Sequence, residues 1–199
     1  MEETSGSQSA GGRADAGGDV VRGVAGGVAR DMAGDVVRDV AGERSGAVAC
    51  PAAIRRALDG HTTVTLAYVD EDGPQACAVL YAAATAADGA PVLYFVTAAS
   101  TRHGRALGKP GARVAFTVQR DGQEWSGLTG IQGRGGCRPL SGDARAAGWR
   151  SYTARFPFVE ADERLRAALE RTALWELRPD WLRLIDNAQG FGHKEEWRG

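Results

Sequence analysis

Cysteine is scarce in this chain: Cys50, Cys77 and Cys137 lie far apart and are odd in number. They make no C-x-x-C pair and no even framework, which excludes a zinc knuckle and a cystine-stapled secreted scaffold. Ordinary thiols in a reducing cytoplasm are the expectation. Histidine is equally sparse, and His61, His103 and His193 form no H-E-x-x-H, so no metal site is read. No stretch of about 18 apolar residues occurs, which argues against a membrane-spanning helix. Met1-Glu2-Glu3-Thr4-Ser5-Gly6 has neither a basic nor an apolar leader region, so no signal peptide is expected. Excess charge is missing too. With 24 Lys and Arg against 25 Asp and Glu, the net charge is −1 and the pI about 6.3, which does not suit non-specific nucleic-acid binding.

Aromatic residues are absent from positions 1–47, where Gly, Ala, Val, Asp and Arg dominate. An octad recurs there, as Gly18-Asp19-Val20-Val21-Arg22-Gly23-Val24-Ala25 and again as Gly34-Asp35-Val36-Val37-Arg38-Asp39-Val40-Ala41. Val20, Val24, Val28, Met32, Val36 and Val40 fall every fourth residue, a stripe that drifts by about 40° per step on an α-helix. Each glycine costs a helix interior about 1 kcal/mol relative to Ala. Too little large apolar surface is present to offset the ordering entropy, so the segment reads as a disordered tail, with a partner-docking helix as the alternative. It carries eight acidic and five basic residues. The domain at 48–199 is therefore slightly basic, which suits an anionic ligand.

From Cys50 onward the pattern is that of a packed domain. Pro51 opens a short helix with Ile54 and Leu58 on one face. Val64, Leu66 and Tyr68 alternate with polar or small residues as in a half-buried strand, and Asp72-Gly73-Pro74 turns the chain into a second strand, Gln75 to Ala83. Val92-Leu93-Tyr94-Phe95-Val96 lacks alternation, the mark of a strand covered on both faces. Arg105 to Gly108 suggest a helical turn stopped by Pro110. Val114, Phe116 and Val118 mark a fourth strand, and a fifth is expected over Trp125 to Arg134. Helices are expected over Gly142–Arg155 and from about Ala161, the latter with Leu165 and Leu169 buried. Ala173–Leu177 and Trp181–Ile185 read as two closing strands around Pro179-Asp180. Six to seven mostly antiparallel strands joined by short turns predict a mainly β fold, a small β-barrel with peripheral helices.

Chemistry concentrates at one strand-to-helix junction, Val96-Thr97-Ala98-Ala99-Ser100-Thr101-Arg102-His103-Gly104-Arg105. Two hydroxyls, two guanidinium groups and an imidazole lie within six residues, just where a helix start would present free N–H groups to an anion. The alternative is that Ser100 or Thr101 caps the helix while the arginines are solvated.

The order of a buried strand, this turn, a helix, a Pro-containing loop and the strand Ala112-Arg113-Val114-Ala115-Phe116 resembles the pyridoxamine 5′-phosphate oxidase-like family of FMN-binding split barrels. Gly130-Ile131-Gln132-Gly133-Arg134 and the stretch from Leu177 to Lys194 are similar to a bacterial branch of it. The resemblance covers about residues 50–197. It implies that Thr101, Arg102 and His103 contact the FMN phosphate, with Ser100 adjacent and Arg105 at its margin. It also implies that Val96 and Thr97 lie beside the flavin ring and that Gln132 reaches the ring edge or ribityl chain. A flavin-dependent oxidoreductase acting on a small-molecule substrate, homodimeric with flavin at the interface, is what the resemblance implies. A deazaflavin in the same turn, or a non-catalytic flavin- or haem-binding module, are its alternatives. Gln75-Ala76-Cys77 and Tyr81 stand where true oxidases of the family carry Arg and Lys, so vitamin B6 oxidation is not expected. Removing residues 1–47 is expected to leave folding and flavin content intact. An insoluble or colourless truncated chain would place the tail within the fold.

Overall fold

Val64, Leu66 and Tyr68 point inward from β1 (Thr63–Asp70), as their alternation requires. A computed structural model describes residues 48–199; the octad segment at 1–47, with its two readings, lies outside the described residues. A turn at Glu71-Asp72 leads into β2 (Gly73–Thr85), which pairs antiparallel with β1 from Asp70↔Gly73 to Thr63↔Leu80. β3 (Pro91–Val96) follows, then β4 (Arg113–Val118), β5 (Thr129–Pro139), β6 (Leu174–Asp186) and β7 (Lys194–Arg198). Every pairing is antiparallel, in the order β3-β2-β1-β4-β5-β6-β7, and β3 also pairs with β6. The first six strands therefore close on themselves, and β7 extends the sheet from the C-terminal half of β6. This is a split barrel of seven strands with helices outside it, as the sequence predicts.

The barrel interior is filled by Leu66, Tyr81, Leu93, Phe95, Phe116, Ile131, Trp175 and Leu182, among others. Helix α1 (Ala52–Gly60) plugs it with Ile54 and Leu58. β3 lacks alternation because its second face is also covered. Tyr94 and Val96 pack under α3 (Gly142–Arg155), in a second cluster with Ala82, Leu140, Tyr152, Phe156, Val159 and Leu174. No helix among the described residues is long and apolar enough to cross a membrane.

Several boundaries differ from the sequence reading. Trp125–Gly127 form a 3₁₀ turn rather than strand, with Trp125 66% exposed, and β5 begins at Thr129 and runs on to Pro139. The expected two closing strands are one. β6 pairs with β5 on both sides of Pro179, and the register shifts where Arg134 meets Trp181 but Gly135 meets Pro179. Asp180 is thus the extra residue of a bulge, which is how a strand accommodates Pro-Asp. The sequence predicts no strand at β7, because Lys194-Glu195-Glu196-Trp197-Arg198 reads as polar. Only Trp197 is buried, as suits an edge strand. The late helix divides into α4 (Phe158–Ala161) and α5 (Glu163–Glu170), and Leu165 and Leu169 are half-buried rather than buried. The helix after β3, α2, spans Arg102–Leu107, three residues earlier than expected, because Thr101 caps it.

The glycines of β5 make room for neighbours. A Cβ on Gly133 would overlap the Phe116 ring, itself in the barrel interior. Gly133→Ala is expected to destabilise the domain by about 1–3 kcal/mol, the usual cost of overpacking, read as a lower thermal midpoint. In that background Phe116→Leu is expected to recover part of the loss.

Candidate functional site

The turn between β3 and α2 is fixed from below before any ligand is considered. The Thr97 N–H donates to the Ala173 carbonyl at 3.1 Å, and the Thr97 carbonyl accepts from the buried indole Nε1 of Trp175 at 2.9 Å. Thr101 then caps α2: its Oγ1 accepts from the Gly104 N–H at 3.0 Å and donates to the Ala98 carbonyl at 2.8 Å. A Cβ on Gly104 would overlap that same carbonyl, so only glycine permits so tight a turn.

Above this base lies a chain of polar groups. His103 Nε2 is 2.5 Å from Thr97 Oγ1, which is 3.3 Å from Thr101 Oγ1. The Thr101 hydrogen is committed to Ala98, so Thr97 donates to Thr101 and His103 donates to Thr97 through Nε2–H. That tautomer leaves Nδ1 with no protein partner among the described residues. Burial holds the His103 imidazole below its ordinary pKa. Ser100 presents its carbonyl to Arg105 Nη1 at 2.5 Å, and its hydroxyl has no protein partner among the described residues. The N–H groups of Arg102 and His103 likewise donate to no protein acceptor among the described residues, since the first bonds of the helix start at Gly104 and Arg105.

Arg102 lies differently from its sequence reading. Its Nε and Nη2 engage Asp70 at 2.6 and 3.2 Å, and Nη2 also bonds Asp72, so the guanidinium ties α2 to the β1–β2 turn. The Arg102 guanidinium holds the Asp70 carboxyl below the usual carboxylate range. Thr97, Thr101 and His103 are brought together, with Ser100 and Arg105 beside them. Val96 is half-buried in the cluster under α3, and Gln132 stands exposed on β5, opposite Thr117 and Arg183. Neither makes a hydrogen bond to the turn.

One feature of the neighbourhood escaped the sequence. The Tyr68 ring stands 6.5 Å from the His103 ring, tilted by 58°. Tyr68 also lines a groove of about 560 Å³ that opens between β1, β4 and the end of α2. Its lining comes from five separate stretches of chain, which no local motif could announce.

No protein-family profile matches the chain. A UPF0306 protein from Klebsiella pneumoniae subsp. pneumoniae is 36% identical over 105 residues, 53% of this chain and 65% of that protein. The chain thus spans just under two thirds of the length of the curated relatives it matches over this segment. UPF0306 protein YhbP of Escherichia fergusonii is 32% identical over 145 residues, 73% of this chain and 90% of that protein. Among solved structures, a conserved hypothetical protein from Mycobacterium tuberculosis superposes with a TM-score of 0.58 at 21% identity, over 76% of this chain and 94% of that one. A heme binding protein from Mycobacterium smegmatis superposes with a TM-score of 0.54 at 21% identity, over 76% of this chain and 60% of that one. Both likenesses, at 21% identity, are likenesses of fold.

The histidine generates a direct test. Its NMR-titrated imidazole pKa is expected below the ordinary value of about 6.5, and inorganic phosphate bound at the turn is expected to raise it. Because the folded pKa is depressed, the contribution of His103 to stability is present above the unfolded value and is lost as pH falls. Substitution by Gln is expected to remove that component of the acid-side slope.

Proposed function

The chain belongs to the UPF0306 family, and from the donor set of its β3–α2 turn we propose that it binds FMN by the phosphate and serves as a flavin-dependent oxidoreductase. The observation that carries this reading is the cluster itself. Two free amides, the Ser100 hydroxyl and the remaining N–H groups of Arg105, joined by Nδ1–H of His103 when it is protonated, surround a turn that is already fully braced by Trp175 and Thr101. These donors suit the oxygens of a phosphate dianion, and the side chains beside them are neutral or cationic apart from Asp70 and Asp72, which Arg102 engages. α2 has only six residues, so the grip belongs to amides and side chains rather than to a helix dipole.

Within this reading Thr97, Thr101 and His103 order the turn, while Ser100, His103 and Arg105 meet the phosphate. Arg102 reaches it by exchanging Asp72, the more exposed of its two partners. Val96, Thr97 and Gln132 are the proposed neighbours of the ring and ribityl chain. FMN when bound would supply hydride or electron transfer; the chain would hold and orient it. The substrate would be a small molecule.

A homodimer with flavin at its interface is part of the proposal. The outward faces of β1, β2 and β4 away from the groove lined by Arg113 and Arg134 support it, since Thr63 and Thr65 lie opposite Leu80 and Ala78, with Thr117 continuing the surface. Small uncharged side chains there suit close packing against a second copy. Haem is the second reading, supported by the fold shared with a protein named for heme binding; a deazaflavin held by the same turn is a third.

Titration of the purified chain is expected to give a two-banded flavin spectrum, with FMN bound at least tenfold more tightly than riboflavin, since charge-assisted hydrogen bonds contribute about 1.5–3 kcal/mol. His103→Ala and Arg105→Ala are expected to weaken FMN and to leave riboflavin nearly unchanged. FMN affinity is expected to rise as pH falls, because protonated His103 adds a cation beside the phosphate. Equal affinities for FMN and riboflavin would remove the phosphate from the turn, and a Soret band in the protein as isolated would favour haem.

A further inference from the structure

The groove beside Tyr68 has the chemistry of a second binding site. Its floor is apolar, formed by Ala67, Leu107, Val114 and Ala115 among others, and no Asp or Glu lines it. Three cations do: Lys109, Arg113 and Arg134. Lys109 enters no ion pair among the described residues. Arg113 and Arg134 share a single carboxylate, Asp180, the second at 3.3 Å, so two cations outnumber their one counter-ion. Arg134 is also steadied by the Trp181 ring, 5.6 Å from its Cζ.

Two neutral groups complete the lining. Tyr68 is only 7% exposed, yet its hydroxyl bonds to no protein group among the described residues. The hydroxyl is reached by solvent while the ring is buried, so it offers a polar contact to a ligand in the groove. Gln75 is half-buried in the same wall, and its amide is also without a protein partner among the described residues. An apolar floor with a few convergent polar groups, at a volume of about 560 Å³, is the form of a small-molecule site.

We propose that this groove binds an amphipathic anion, a flat apolar or aromatic body carrying a carboxylate, sulfonate or phosphate. The anionic group lies against Lys109 and Arg134, and a hydrogen-bonding edge of the body meets Tyr68 and Gln75. The inference rests on these side chains and not on the flavin reading, because it requires nothing bound at the β3–α2 turn.

The probe is 8-anilinonaphthalene-1-sulfonate, with the uncharged N-phenyl-1-naphthylamine as its control, titrated by fluorescence into the full chain. One sulfonate per chain is expected. Lys109→Gln and Arg134→Gln together are expected to weaken it by about tenfold or more, as for loss of charge-assisted contacts, with the neutral probe unaffected. Both side chains are exposed and Asp180 keeps Arg113, so the fold is expected to survive; Lys109→Gln alone serves as the variant that breaks no ion pair. Tyr68→Phe is expected to weaken both probes' competitors that carry a hydrogen-bonding edge, such as hydroxynaphthoate, more than the sulfonate itself. Unchanged sulfonate affinity in the double variant would overturn the assignment. So would one-for-one displacement of the sulfonate by FMN, which would make the groove the cofactor's own seat. An absorbance titration with FMN decides the turn separately.

Discussion

The site depends on how β6 closes the barrel. Ala173, just before that strand, accepts from the Thr97 amide, and Trp175 donates its indole N–H to the Thr97 carbonyl from a fully buried position. The same ring stacks on Phe95, with centroids 6.3 Å apart and planes 12° from parallel. A carbonyl at the end of a buried strand would otherwise lack a partner at the point where the chain leaves the sheet, at a cost of about 1–3 kcal/mol for an unsatisfied buried group. One aromatic side chain therefore completes the core, seals the β3–β6 seam and sets the height at which Thr97 presents its hydroxyl. The hydrogen bonds that run from His103 to Ala98 build upward from that fixed point.

What was legible in the sequence follows from how far apart the interacting residues are. Val64/Leu66/Tyr68 and Val114/Phe116/Val118 reveal strands because burial repeats every second residue within one segment. Val92–Val96 reveals a doubly covered strand for the same local reason. The bounds of β5 are not legible locally because its packing partners are distant: the space above Gly133 is filled by Phe116 and that beside Gly135 by the Arg178 backbone, so glycines that look like loop formers lie within a strand. Pro179-Asp180 looked like a turn because a bulge and a turn share composition, and only the ladder with β5 separates them. β7 shows one buried residue in five, too few for a period.

The candidate site was legible to the same extent. The hydroxyls, imidazole and arginines at 97–105 are contiguous, so the turn announced itself. The partner of Arg102 did not, since Asp70 lies 32 residues earlier. That partner changes the electrostatic reading. A guanidinium held by two carboxylates presents little net charge, so the free cationic character of the turn comes from Arg105 and from His103 when it is protonated. Residue types alone rank Arg102 first; geometry ranks it as the brace between α2 and the β1–β2 turn.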